Sequence, residues 1–241
     1  MLFRSDEANI HAKTVACHAI GGPGVRTAIE AGVDSIEHGC LVGQEPNLLK
    51  MMADQGSYLG PTFTVFTFHA THGTSHAQAE AQEFRQQHID TVQQAMLAGV
   101  KVVAGTDAGG WEHGNNAKEL ELLVAAGMTP MQAVVAATGW AAGCLGLDHS
   151  IGTIETGKSA DLIVVDGDPL ADISVLQDKK RIRLVAGPLT PGRTARGADA
   201  VNPSGMPDSR AGDSLRVGAE VIKNSFFSSR HVSSAGFERQ V

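Results

Sequence analysis

Three residues of the sequence have the types and positions that metal chemistry needs. His18 and His38 each end a predicted strand, and Asp107 closely follows another. Imidazole and carboxylate groups are common ligands of divalent metal ions. If the strands are parallel neighbours, the three side chains meet at the carboxyl edge of one sheet. Each histidine alone is compatible with a hydrogen-bonded structural role, and Asp107 with a turn cap, but the three together favour a metal site.

Asp107 also has the chemistry of a proton carrier. A divalent ion lowers the pKa of a bound water toward neutrality, and a nearby carboxylate can take the proton. The neighbouring acid Glu37 is not assigned to the metal. Successive side chains of a strand point to opposite faces, so Glu37 and His38 are expected to diverge.

Other chemical motifs in the sequence are weak. Gly21 to Gly24 (GGPG) follows a strand but lacks the GxGxxG and GK[ST] patterns of phosphate-binding loops. Cys17, Cys40 and Cys144 lack CxxC spacing, so neither a disulfide framework nor a cysteine-type zinc site is expected. Cys17 and Cys40 flank the histidines, and we expect them to be inert buried thiols.

Short β-branched runs alternate with longer helical patterns, which is typical of parallel βαβ units. The predicted strands span residues 14–18, 33–38, 58–62 and 100–104. The predicted helices span residues 24–31, 45–55, 76–97, 116–126 and 129–142. Thr129 and Gln132 resemble a capping box that opens the last helix, with Pro130 at its first position. The predicted fold class is α/β.

The C-terminal part of the chain has a different character. Residues 152–165 are expected to form two strands around the turn at Thr156 to Lys158. From about residue 187, Gly, Pro, Ser and Arg are scattered without a sustained period. This pattern favours a disordered tail over residues 187–241.

Composition and charge exclude several classes of partner. The formal net charge of -7 argues against nucleic-acid and anionic-membrane surfaces, because both need a concentrated basic patch. The start, MLFRSDEANIHAK, has charges where a signal peptide needs apolar residues, and no apolar run is long enough to span a membrane. A cytoplasmic protein that acts on a small molecule is expected.

Four segments resemble the amidohydrolase superfamily, especially its imidazolonepropionase-like and Xaa-Pro dipeptidase-like branch. They lie in the expected order between about residues 6 and 185, and they are VACHAIGGPGVRTAIEAGVDSIEHG, AGVKVVAGTDAGG, HGNNAKELELLVAAGMTPMQAVVAATGWAA and IGTIETGKSADLIVVDGDPLADI. The resemblance implies a (β/α)8 TIM-type barrel with one or two divalent metal ions, zinc foremost, at its mouth. It further implies hydrolysis of a C–N bond in an amide, dipeptide or cyclic amide by metal-activated water.

The resemblance assigns roles to individual residues. His18 matches the metal-binding His of strand 5, and His38 matches that of strand 6. Asp107 matches the metal-binding Asp of strand 8, which also moves the proton. His113 and Tyr58 are implied to face a small-molecule or dipeptide-like substrate, although loop packing explains either residue as well.

The sequence also departs from the family pattern. The HxH pair of strand 1 and the metal-bridging Lys of strand 4 have no counterpart, because the chain begins just before strand 5. We therefore expect an incomplete barrel of about strands 5–8 in residues 1–148 and strands of a small β-sandwich in residues 149–186. The alternative to a hydrolase is a truncated, catalytically inactive half-barrel that only binds metal or oligomerises. A homo-oligomer would cover the open strand edges.

Overall fold

The structure is a computed structural model that describes residues 7–8, 10–72, 74–109 and 113–187, without the side chains of residues 77, 80 and 81. These residues form an α/β fold with a four-stranded parallel sheet and a separate two-stranded sheet. The predicted fold class is thereby confirmed. The expected disorder after residue 187 lies outside the described residues.

The larger sheet carries the predicted strands in chain order. Its members are β1 (Ala16–Ala19), β2 (Ser35–His38), β3 (Tyr58–Gly60) and β4 (Lys101–Val102), each parallel to the next. One aligned row of side chains belongs to the hydrophobic core and consists of Cys17, Ile36, Leu59 and Val102. This row packs against the helices, as expected for a parallel sheet covered on one face.

The opposite face of the sheet carries polar groups. His18 is in register with Glu37, and Glu37 is in register with Gly60. Because successive side chains alternate between faces, these residues point away from the row that contains Ile36. The polar side chains of this face therefore lie near the carboxyl ends of β1 and β2.

Seven helices lie between Gly22 and Cys144 in the described part of the chain. They are α1 (Gly22–Glu30), α2 (Pro46–Gln55), α3 (Phe63–His72), α4 (Ser75–Leu97), α5 (Lys118–Ala125), α6 (Pro130–Ala137) and α7 (Gly139–Cys144). Gly32 and Gly99, which precede β2 and β4, have φ of 71° and 86°. Glycine adopts these left-handed values without steric cost, so both helix ends are as the sequence predicts. Within the described part of the chain, no helix has the combination of length and apolar character needed to cross a membrane.

Helix α4 holds the loop that follows β2. The hydroxyl of Thr91 donates to the carbonyl of Cys40 at 2.8 Å and accepts from the amide of Gly43 at 3.2 Å. A Cβ atom at Gly43 would lie 2.7 Å from the Thr91 hydroxyl oxygen, so the close approach requires glycine. The chain just after His38 is thus fixed by a buried contact with α4.

The single helix predicted over residues 129–142 is wrong. The chain forms α6 and α7 with a break at Thr138, where φ is -123° and ψ is -91°. Gly152 packs against this break, and a Cβ there would lie 2.5 Å from the Cβ of Ala142. The capping box predicted at Thr129 and Gln132 is present, with both reciprocal hydrogen bonds.

The hairpin predicted within residues 152–165 is also wrong in its first strand. Only β5 (Leu162–Val165) is a strand, and it pairs antiparallel with β6 (Ile182–Ala186). The chain reverses direction between β5 and β6. The short 3-10 helices Ile173–Gln177 and Lys179–Arg181 lie in this connection.

Candidate metal centre

The two predicted histidine ligands meet at the carboxyl edge of the parallel sheet. The ring centroids of His18 and His38 are 4.5 Å apart, and the rings are inclined at 74°. His18 is exposed, whereas His38 is 7% exposed. The structure therefore brings together two imidazoles, one accessible to a ligand and one held in the protein.

The backbone at this edge adopts costly conformations. Four described non-glycine residues have positive φ, and three of them lie at or after the ends of β2, β3 and β4. Those three are His38 (72°), Thr62 (54°) and Asp107 (51°). Such outliers persist only where surrounding contacts impose them, and they cluster at functional sites. At His38 the turn explains why its ring reaches His18, although Ala19 is its register partner.

The buried environment of His38 sets its protonation state. Burial, together with the nearby His18, lowers the pKa of His38 to about 4, although the charge of Asp107 opposes the shift. The imidazole is therefore neutral at pH 7, which is the form that binds a metal ion. Its Nδ1 lies 2.6 Å from the hydroxyl oxygen of Thr62.

Asp107 is exposed and lies within electrostatic reach of the pair. Its charge acts on the pKa of both His38 and Glu37. However, the described residues contain no group of three or more His, Cys, Asp or Glu side chains placed to hold a metal ion. The donor types fit a divalent ion, and the two histidines supply part of the ligand set that a catalytic site requires.

Glu37 is a half-buried acid that the sequence analysis did not assign to the site. Ser35 donates a hydrogen bond to its carboxylate at 2.6 Å, and a side chain in place of Gly60 would collide with the same carboxylate. Burial raises the pKa of Glu37, the Ser35 hydrogen bond lowers it, and Asp107 adds to the rise. The register of β1 and β2 in the structure reveals its place, because Glu37 pairs with His18 and such partners share a face of the sheet.

Neither of the two predicted substrate-side residues has a described contact with the histidine pair. Tyr58 begins β3, in register with Ser35 and Lys101, so it lies toward the amino ends of the strands. Its hydroxyl packs against Gly143 of α7. His113 is exposed, and in the described part of the chain no hydrogen bond or ring contact joins it to either histidine.

The three cysteines are free and buried. Burial raises the pKa of Cys40 and Cys144 to about 12, and it also raises the pKa of Cys17. The thiols are therefore protonated at neutral pH, which agrees with the expectation that they are inert.

An apolar cavity of about 110 Å³ lies beside the site. It is lined mainly by α3, α4 and α5, with Phe63, Phe66 and His88 among its walls. The Phe66 ring also contacts His38, at 5.7 Å between centroids, and His88, at 5.1 Å. A designed apolar cavity of about 150 Å³ accommodates benzene. This smaller cavity therefore has room for a small apolar side chain.

Comparison with known proteins gives a consistent family. The model of the Amidohydrolase family matches residues 2–186. Ochratoxinase of Aspergillus niger is 33% identical over 208 residues, covering 82% of this chain and 42% of that protein. Its crystal structure is similar with a TM-score of 0.71 and 30% identity, covering 84% of this chain and 48% of that one.

Two further crystal structures are similar to this chain. A Xaa-Pro dipeptidase with bound methionine has a TM-score of 0.68 and 37% identity, covering 76% of this chain and 45% of that one. A putative prolidase from Bifidobacterium longum has a TM-score of 0.69 and 32% identity, covering 79% of this chain and 50% of that one. The chain thus spans about half the length of the relatives that it matches.

Proposed function

The chain belongs to the amidohydrolase family, and from that premise we propose that it takes part in metal-dependent hydrolysis of an amide bond. The observation that carries the proposal is the pair of imidazoles, 4.5 Å apart, at the carboxyl edge of a parallel sheet. In barrels built from such sheets, that edge is where catalytic groups lie. The four parallel strands are proposed to be part of a (β/α)8-type barrel.

Three residues would share the chemistry. His18 and His38 would hold a divalent ion, for which zinc is the first candidate because it favours nitrogen ligands. Such an ion supplies Lewis acidity that brings the pKa of water near neutrality. The Asp107 carboxylate would take the proton of the attacking water and pass it to the leaving nitrogen.

The proposed substrate is a dipeptide-like amide. Similar proteins include an ochratoxinase, a Xaa-Pro dipeptidase and a putative prolidase, and the last two names denote cleavage of a peptide bond. His113 remains a proposed substrate-side residue because it is exposed and follows Asp107 in the chain. Tyr58 is a weaker candidate, since it lies toward the other end of its strand.

Zinc binding by the purified full-length chain tests the proposal. We expect about one tightly bound ion per chain, and at least about a tenfold loss of affinity in His18→Ala, His38→Ala and Asp107→Ala. His149→Ala is the matched control, because His149 is exposed on a loop after α7. Equilibrium dialysis with metal analysis gives both quantities.

Hydrolysis of a panel of dipeptides and N-acyl amino acids then distinguishes a hydrolase from a catalytically inactive chain. Release of the amino acid by the zinc-loaded protein, lost in the three variants, supports the hydrolase. Mutation-sensitive zinc binding without turnover supports the alternative, a chain that binds metal or associates without catalysis. Substoichiometric zinc that the variants leave unchanged would remove the metal site itself.

A further inference from the structure

Thr62 lies two residues after the end of β3, next to the ring of His38. The Thr62 side chain is buried at 3% exposure, and its backbone has φ of 54°. A β-branched residue with this φ is a marked outlier, because its side chain crowds the backbone. The strained position therefore needs compensation from specific contacts.

The hydrogen bonds of the Thr62 hydroxyl determine which ring nitrogen of His38 carries the hydrogen. A threonine hydroxyl has one hydrogen to donate and can also accept. It donates to the carbonyl of Pro61 at 2.7 Å, and that carbonyl can only accept. At the 2.6 Å contact with Nδ1 of His38 the hydroxyl therefore accepts, so Nδ1 carries the hydrogen. In a neutral ring the lone pair is then on Nε2.

A buried carboxylate fixes the backbone that follows Thr62. Glu119 of α5 is fully buried, and its two oxygens accept from the amides of Phe63 and Thr64, each at 2.8 Å. The Thr64 hydroxyl donates to the same carboxylate. These amides open α3, so Glu119 caps the helix from a distant segment. Burial raises the pKa of Glu119 to about 7, and the hydrogen bonds from Thr64 and Phe63 oppose the rise.

We propose that Thr62 is the positioning residue of His38 and that Glu119 in turn holds Thr62 in place. The Thr62 hydroxyl keeps the imidazole in the tautomer whose Nε2 carries the lone pair that a metal ion binds. Partners of this kind, which bind the second ring nitrogen of a ligand histidine, fix both its tautomer and its orientation. The inference rests on the proposed metal site for its purpose, but the tautomer itself is a property of the metal-free chain.

Two substitutions at one position separate the hydroxyl from the shape of the side chain. Thr62→Val keeps the β-branched shape and removes the hydroxyl, whereas Thr62→Ser keeps the hydroxyl. Histidine labelled with nitrogen-15 shows by NMR which ring nitrogen is protonated, and the His38 signals are assigned by their loss in His38→Gln. Thermal unfolding confirms that each variant is folded, and Thr62→Ala replaces Thr62→Val if the latter is not.

We expect the Nδ1–H tautomer of His38 in the wild type and in Thr62→Ser, and a mixture of tautomers in Thr62→Val. Zinc affinity should fall by about 10- to 100-fold in Thr62→Val and stay near the wild-type value in Thr62→Ser. A wild-type His38 protonated at Nε2, or a Thr62→Val variant with an unchanged tautomer, would overturn the positioning role. If the tautomer responds as expected but the wild type binds no zinc, the positioning role stands and the proposed function fails.

Discussion

His88 illustrates how burial sets the charge of single residues around the site. It is 1% exposed, its ring lies between those of Phe63 and Phe66, and the carbonyls of His38 and Pro61 face it. Burial, together with the His38 ring, lowers the pKa of His88 to about 4, although the two carbonyls oppose the shift. Among the described residues its Nε2 has no hydrogen-bond partner, so a proton there would gain little.

The lowered pKa of His88 predicts a loss of stability in mild acid. An unfolded chain takes up this proton near pH 6.5, whereas the folded chain resists it down to about pH 4. The contribution of neutral His88 is thus fully present above pH 6.5 and is lost as the pH falls toward 4. At about 1.4 kcal/mol per pKa unit, the loss is at most about 3 kcal/mol.

The variant His88→Phe should therefore lose less stability than the wild type between pH 7 and pH 4.5, since phenylalanine keeps the ring but does not titrate. The free energy of unfolding from urea titrations at several pH values measures this difference. His149→Phe, which changes an exposed histidine, should keep the wild-type dependence. Equal pH slopes in His88→Phe and the wild type would show that His88 does not resist protonation.

At the scale of elements, the loop that follows β2 requires glycine at position 39 for two reasons. The backbone there is left-handed, and a side chain would have no space. Gly39 has φ of 56°, and a Cβ atom there would lie 2.5 Å from Cδ1 of Leu59. Gly32, before β2, has φ of 71°, but apart from its chain neighbours no atom of the described residues lies within 4 Å of its added Cβ. The two positions thus share the left-handed backbone and differ in the available space.

Replacing each glycine by alanine should separate these two costs. Gly32→Ala is expected to lower the free energy of unfolding by about 1 kcal/mol, the penalty of a left-handed non-glycine residue. In Gly39→Ala the free energy of unfolding should fall by roughly a further 1–3 kcal/mol, which is the cost of overpacking a core. Urea unfolding of both variants gives the comparison. Similar losses in the two would mean that Leu59 moves aside easily.

Elements whose signals are local were predictable from the sequence. The capping box at Thr129 and Gln132 uses groups three residues apart, and helices α1 and α4 end at or within one residue of the predicted residues 31 and 97. The pairing of His18 and His38 also followed from a local rule, since parallel strands place their ends at one edge. Each of these features depends on a few neighbouring residues.

Elements that depend on distant contacts were not predictable. Helix α3 has a sequence rich in Phe, Thr and Val, which favours strands, and its first amides are capped by Glu119 of α5. The break at Thr138 accompanies the close approach of Gly152. The roles of Thr62 and Glu119 have the same origin, because 24 and 55 residues separate them from His38 and Thr64.

At the scale of the whole molecule, the parallel sheet has two outer strands. In the part of the chain that the structure describes, β1 pairs only with β2 and β4 pairs only with β3. The carbonyls of Val15 and Ala19 accept hydrogen bonds from the β2 side. Backbone groups of successive residues point to opposite sides of a strand, so the amides and carbonyls of Ala16 and His18 point away from β2. Such an edge is a template for pairing with another chain.

We therefore expect the purified chain to associate with itself as its concentration rises, in line with the homo-oligomer proposed from the sequence. Ala16→Pro removes an amide that points away from β2, and proline is tolerated at such edge positions. Sedimentation velocity should show a monomer for Ala16→Pro at concentrations where the wild type associates. Ala16→Ser, which keeps the amide, should behave as the wild type. Association of Ala16→Pro at the wild-type concentration would place the interface elsewhere, and a wild type that stays monomeric would mean that the β1 edge is covered within the chain itself.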